Sequence, residues 1–407
     1  MSDRARQAID ECRTIATMTE EPGRITRLFL TPPVRQVHQH LRARMENLGM
    51  SVHVDAAGNL RGLWTPTGAS GKRLILGSHI DTVPDAGAFD GVLGVVLALE
   101  LVESAARLHL PLALEVIAFS EEEGVRFGFP FIGSRAVAGR FDPSFLAHKD
   151  ANGISIRQAI EDFGLDPNNL EAAIADQHAV GFVEIHIEQG PLLEAEDLSL
   201  ATVTSIVGQT RLDLKFIGHA NHAGTTPMHL RRDALAAGAE WISNVEALAR
   251  RTEGLVATVG KLNVRPNAGN VIPSSVDLSL DVRHVNDSQR KTAVDELLVQ
   301  AESISTRRGL TLQWTKKMDE PSVPMDERLT AFMASAIEAA GFPGKAMPSG
   351  AGHDAMIMAG RMPTAMLFLR SPGGLSHHPD ETVREEDVEA ALRVGEKFLE
   401  RLAAEVR

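Results

Sequence analysis

Two kinds of hydrophobic pattern alternate along the chain. RLILGS (Arg73–Ser78) and LEVIAFS (Leu114–Ser120) are apolar almost throughout, as strands are when both faces of their sheet are covered. Between them, VLGVVLALELVESAARL from Val92 to Leu108 has helical spacing, and strand, helix, strand predicts a parallel α/β unit. The pattern returns late, with a short helix over Ala355–Gly360, the apolar strand TAMLFL at Thr364–Leu369 and an amphipathic helix over Glu386–Glu405. The middle differs. RLDLKF (Arg211–Phe216), VDLSLDVR (Val276–Arg283) and LTLQW (Leu310–Trp314) alternate polar with apolar, a further strand is expected over Leu255–Val264, and helices fall at Ala234–Ala249 and Gln289–Arg307. That order, β-α-β-β-α-β, predicts a split-βαβ (ferredoxin-like) α+β domain with an antiparallel sheet covered on one face. The expected organisation is α/β: a mostly parallel-sheet domain with helices on both faces, residues 1–208 and 322–407, interrupted by an inserted domain, residues 209–321.

Composition narrows the function classes. The 407 residues carry 41 Lys and Arg against 54 Asp and Glu, a formal charge of −13, without basic clusters to hold phosphate backbones. Nucleic acid is not an expected partner. The single cysteine, Cys12, can form no internal disulfide, and the charged N-terminus lacks a signal-peptide pattern. The longest apolar run, Gly91 to Leu99, falls short of the ~20 residues of a membrane span, so a cytoplasmic protein with no membrane partner is expected.

Chemistry gathers where the apolar strands end. GSHIDTVPDAGAFDG places His79 directly after a strand, Asp81 two residues on and Asp90 before the helix. SEEEGVRF follows the next strand with Glu121, Glu122 and Glu123 in succession. Alone, the first segment reads equally as a solvated turn and the second as a solvated acidic run. At one sheet edge, however, such carboxylates repel unless a cation or proton compensates them. VEIHIEQG brings His186 and Gln189, and LRSPGGLSHHPDE brings His377 and His378, each after a further strand-like run. A mixed histidine and carboxylate set suits zinc, manganese or cobalt. The middle region adds GHANHAGTTPMHLRRDA with His219, His222 and His229, Asn270 in PNAGNVIP, and Arg283 on the polar face of its strand. A guanidinium there is either a solvated face residue or a bidentate clamp for a carboxylate.

Taken in order, GSHIDTVPDAGAFDG, EVIAFSEEEGVRF, FVEIHIEQGPLLE, GHANHAGTTPMHLRRDA, NVIPSSVDLSLDVR, SGAGHDAM and GGLSHHPDE span most of the chain. The set resembles the family of two-metal amidohydrolases that contains N-carbamoyl-L-amino-acid hydrolase, β-ureidopropionase and allantoate amidohydrolase, within a wider superfamily of dinuclear-zinc peptidases. The resemblance implies two divalent ions per subunit (Mn2+, Zn2+ or Co2+), one on His79 and His186, the other on Glu123 and His377, with Asp90 bridging. It implies Glu122 as general acid/base, Asp81 as the group orienting His79, and His222 as the donor to a developing oxyanion. Gln189, Gln209, His222, Asn270, Arg283 and Gly374 are implied to contact a small ureido-acid substrate. A homodimer through the inserted domain, acting as lid and dimerisation surface, is expected on the same ground. His186, where peptidase members usually carry an acidic residue, weighs against an aminoacylase or dipeptidase. DTVPDAG, EEEGVRF, IVGQTRL and SGAGHDAM resemble the allantoate branch more than the N-carbamoyl-amino-acid branch, which stays the alternative.

Overall fold

Four stretches of nearly unbroken apolar sequence form the centre of the molecule: β1 (Arg73–His79), β2 (Ala113–Phe119), β3 (Ala179–Ile187) and β4 (Thr364–Leu369). In the computed structural model, which describes residues 3–69, 71–176 and 178–405, they lie side by side in the order β2-β1-β3-β4, all parallel. Every residue of β2 and β4 is buried, so both sheet faces are covered, as the lack of alternation predicts. Antiparallel strands extend the sheet at its edges, Leu60–Trp64 beside β2 and Leu200–Ile206 beside β4. The helix Val92–Arg107, apolar on nearly all sides, is buried along almost its whole length. The N-terminal helix Asp3–Ala16 buries Ala5, Ala8, Ile9, Cys12 and Ile15 on one stripe; the pattern reading did not single it out.

The chain divides into two compact units, one of residues up to Thr204 together with those from Pro324 onward, the other Ser205–Val323. The second unit has a five-stranded antiparallel sheet. Its central strands Gly208–Ile217 and Ser275–His284 alternate buried and less buried residues strictly. The buried set packs on the helices Ala234–Arg251 and Asp287–Arg308, with Trp241 donating its Nε1–H to the Leu297 carbonyl at 2.9 Å. The strand expected over Leu255–Val264 is instead two, Val256–Thr258 and Leu262–Arg265. Both pair with Ser275–His284, but their registers differ by one residue across the Gly260 region, a bulge that alternation alone does not reveal. Among the described residues, no helix is long and apolar enough to cross a membrane.

Candidate metal centre

Because β1 to β4 run parallel, their carboxyl ends share one edge, and the loops leaving that edge carry the candidate ligands. β1 ends on His79 itself, β2 opens into Ser120–Glu123, β3 carries His186 near its end, and β4 leads through the turn Pro372–Gly374 to His377. Asp90 precedes the helix Val92–Arg107, separated from it by Gly91 at φ +68°. A Cβ on Gly91 would lie 2.5 Å from the His79 ring, so only glycine lets the imidazole take its place against this turn.

The side chains converge on Asp90. His79 Nε2 and His186 Nε2 are 3.5 Å apart and lie 3.5 and 3.1 Å from Asp90 Oδ1. On the other side, His377 Nε2 lies 3.3 Å from Asp90 Oδ2 and 3.3 Å from Glu123 Oε1. His79, Asp90 and His186 therefore form one group able to hold an ion, and Asp90, Glu123 and His377 a second. The carboxylate of Asp90 belongs to both, one oxygen to each.

The protonation pattern favours a cation. His79 Nδ1 lies 3.0 Å from the Asp81 carbonyl and His186 Nδ1 lies 2.9 Å from the Ile187 carbonyl. A carbonyl only accepts, so both rings donate from Nδ1 and turn Nε2 lone pairs toward each other and toward Asp90 Oδ1. That oxygen is buried and has no hydrogen-bond donor. Two lone pairs and an anion facing one another away from water are relieved only by a cation or by added protons. The charges around these groups favour the second route where no cation is bound. Burial opposes charge on His79, but Asp90, Glu122 and Asp81 raise its pKa well above the ordinary value. Burial likewise works against the Asp90 carboxylate, and the surrounding histidines hold its pKa well below the usual range. His377, held by Asp90 and Glu123, is raised to about 10. The nitrogen and oxygen donors fit a borderline divalent metal of the zinc, manganese or cobalt kind.

Glu122 and Glu123 are fixed through their main chain. Their amide N–H groups donate to Asp81 Oδ1 and Oδ2, each at 3.0 Å. Thus the Asp81 carboxylate, expected to orient His79, fastens the glutamates; at 3.8 Å it stands back from His79 Nδ1, and the Asp81 carbonyl makes the close contact. Glu121 turns the chain at φ +50°, Gln189 and His377 adopt +58° and +55°, and three non-glycine residues in this region at one site mark stored backbone strain. Burial raises the pKa of Glu122 well above the usual carboxylate value; Glu123, Asp354 and Asp81 add to this against the opposing pull of His79. Gln189 Nε2 donates to Asp90 Oδ2 at 2.9 Å and to Ser376 Oγ at 3.1 Å.

Four buried residues beside this group had no role in the sequence reading: Glu184, His353, Asp354 and Glu381. Glu184 accepts from Ser78 Oγ at 2.8 Å and from the Ala355 amide at 2.9 Å, and the His353 ring lies 4.5 Å from that of His186. Three of them lie within SGAGHDAM and GGLSHHPDE, but nothing in those segments names their partners.

In the second unit, Gln209 and Arg283 are cross-strand neighbours held by one carboxylate. Asp281 Oδ2 accepts from Gln209 Nε2 at 2.6 Å, Arg211 Nε at 2.9 Å and Arg283 Nη2 at 3.0 Å, and Oδ1 accepts from Arg283 Nε at 3.0 Å. The segments of His222 and Asn270 are joined, the Ala223 amide donating to the Asn270 carbonyl at 2.9 Å, and both side chains are exposed. In the first unit, Gly374 closes the turn before His377 at φ +63°.

Comparison with known proteins gives a consistent picture. The family described as Peptidase family M20/M25/M40 matches residues 75–401. The chain is 39% identical over 377 residues to an N-carbamoyl-L-amino acid amidohydrolase of Geobacillus stearothermophilus, covering 91% of this chain and 92% of that protein. It is 36% identical over 428 residues to an allantoate deiminase of Arabidopsis thaliana, covering 97% and 82%. Among solved structures, an amidase of the hydantoinase/carbamoylase family from Burkholderia multivorans superposes with a TM-score of 0.92 at 30% identity, covering 98% and 97%.

Proposed function

The chain belongs to the M20/M25/M40 peptidase family, and within it we propose a metal-dependent amidohydrolase that cleaves the ureido C–N bond of a small carboxylate substrate. The observation that carries this reading is the sharing of Asp90 between two groups of nitrogen and oxygen donors. His79 and His186 would hold one divalent ion and Glu123 and His377 the other, each completed by Asp90. Manganese, zinc and cobalt all suit these donors. When bound, such ions would lower the pKa of a water molecule and polarise a carbonyl.

The remaining steps fall to the chain's own groups. Glu122, whose burial makes its carboxylate a stronger base than usual, accepts the proton of the attacking water and returns it to the departing nitrogen. Asp81 holds Glu122 and Glu123 by their amides, so that the acid/base group keeps its place while it exchanges its proton. His222 stabilises the oxyanion, and Gln189, Gln209, Asn270, Arg283 and Gly374 bind the ureido group and the carboxylate. Water adds to the ureido carbonyl and the products are the amine, ammonia and carbon dioxide. Residues 209–321 are read as an inserted split-βαβ domain, serving as lid and dimerisation surface of a cytoplasmic homodimer. Residues 1–208 and 322–407 make the catalytic domain.

Two substrates fit this reading equally. Relatives named for N-carbamoyl-L-amino acids and for allantoate match at 39% and 36% identity, so the lean toward allantoate rests on the short segments alone. The deciding experiment measures ammonia release by manganese-loaded protein from allantoate and from N-carbamoyl-L-amino acids in parallel. A kcat/KM favouring either substrate assigns it. Release from neither, with metal bound, overturns the ureido-hydrolase reading.

A further inference from the structure

Glu381 is 5% exposed and lies four residues beyond His377 on the loop that leaves β4. Its Oε1 accepts the amide N–H groups of Phe89 and Asp90, each at 3.0 Å. Those amides belong to the loop that leaves β1. A second thread runs alongside: Ser376 Oγ lies 2.9 Å from Asp90 Oδ2 and 3.3 Å from Glu381 Oε2. Ser376 immediately precedes His377. The Glu381 amide closes its own loop on the His378 carbonyl at 3.0 Å. The opposite loop is shaped to admit this carboxylate, because a Cβ at Gly87 would overlap the Cβ and carboxyl of Glu381.

From this geometry we propose that Glu381 is a positioning residue of the metal centre, clamping the main chain at Phe89–Asp90 so that the shared carboxylate and His377 stay in register. The inference rests on the two-ion reading above. A carboxylate accepting two adjacent amides fixes the direction of that peptide, and with it the direction in which the Asp90 side chain leaves the backbone. His79 and His186 sit on strands and keep their places through the Asp81 and Ile187 carbonyls, independently of Glu381. His377 has no strand beneath it. Loss of the clamp should therefore weaken the ion held by Asp90, Glu123 and His377 more than the ion held by Asp90, His79 and His186.

The test is titration of metal-stripped protein with Mn2+, scored by the number of ions bound and their two affinities, with the melting point of the stripped protein recorded beside it. Glu381→Ala is expected to weaken one of the two ions by about tenfold to a hundredfold while the other moves far less. Gly87→Ala, which displaces the carboxylate without removing it, should act in the same direction. Glu381→Gln keeps an oxygen for the two amides and should restore both affinities to within a few-fold. Two ions bound with unchanged affinities in Glu381→Ala, or in Gly87→Ala if the first variant does not fold, overturn the proposal. So does an equal weakening of both ions. A parent protein that binds fewer than two Mn2+ ions overturns instead the two-ion reading on which it stands.

Discussion

The pocket at the carboxyl edge of β1 to β4 and the polar face of the second unit both bring charged groups together, but in opposite ways. In the pocket, His79, Asp90 and His186 are almost wholly buried, and the rings are fixed by main-chain carbonyls. Their remaining lone pairs face one another, to be met by a cation or by added protons. On the second unit, Arg283 and Gln209 are only half-buried and already satisfied by Asp281, while His222 and Asn270 are exposed. The first arrangement is preorganised for a cation; the second is balanced and would have to exchange one partner for another to bind anything else. A preorganised site shows its ligand class in its geometry, whereas a balanced one shows only which chemistry it can offer.

That contrast can be broken at several points. The largest effect should follow Asp90→Ala, which removes the carboxylate common to both groups: on the two-ion reading metal content should fall to fewer than one ion and turnover should drop at least about a thousandfold. Retention of both ions would show that Asp90 is not shared. Glu122→Gln should keep both ions while turnover falls by about a hundredfold to ten-thousandfold, and normal turnover would remove its acid/base role. Arg283→Ala should act through KM, raising it by about tenfold to a hundredfold with metal content intact, the value of a charge-assisted hydrogen bond. An unchanged KM would leave Arg283 a partner of Asp281 and nothing more.

The smallest effect separates the pocket from the core of the same unit. His38 is buried beside Phe163 with no hydrogen-bond partner for either ring nitrogen, and burial, helped by Arg42 and Arg35, lowers its pKa from 6.5 to about 3. As pH falls below 6.5 the unfolded chain binds the proton and the folded one does not, so stability is lost progressively down to about pH 3. Between about pH 7.5 and pH 5.5 the share of His38 is a loss of about 1.4 kcal/mol, opposed by histidines such as His377 whose pKa is raised, so it is read as the difference in pH slope between the parent and His38→Leu. An identical pH slope in that variant would show that His38 does not carry this acid sensitivity.

Much of this is legible in the sequence alone. His79, Glu123, His186 and His377 could be gathered because each follows an apolar strand, and parallel strands deliver their ends to one edge. The parallel and the alternating sheets could be told apart by period alone. Interactions through the main chain could not be read. That the Asp81 carboxylate takes the amides of Glu122 and Glu123, leaving its carbonyl for His79, depends on the turn at Glu121. Glu381 escaped because its partners Phe89 and Asp90 lie almost the whole domain away along the chain. The pairing of Gln209 and Arg283 with Asp281 depends on strand register, which also hid the break near Gly260.

The register of the second sheet has a consequence for how the chain comes to be folded. Gln209 and Glu320, near the two ends of that unit, are paired across adjacent strands. β4 must find β3, Thr364 against Phe182, across the whole of the intervening chain. Once the second unit has formed, its ends are already together, and the free segment that must still be closed is less than half as long. Each halving of such a loop lowers the closure cost by only about 0.6 kcal/mol, but it falls on the search that sets the rate. The unit that carries Arg283 thus doubles as a staple in the assembly of the other. Pulse-labelled hydrogen exchange should find the amides of Ser275–His284 protected before those of Thr364–Leu369.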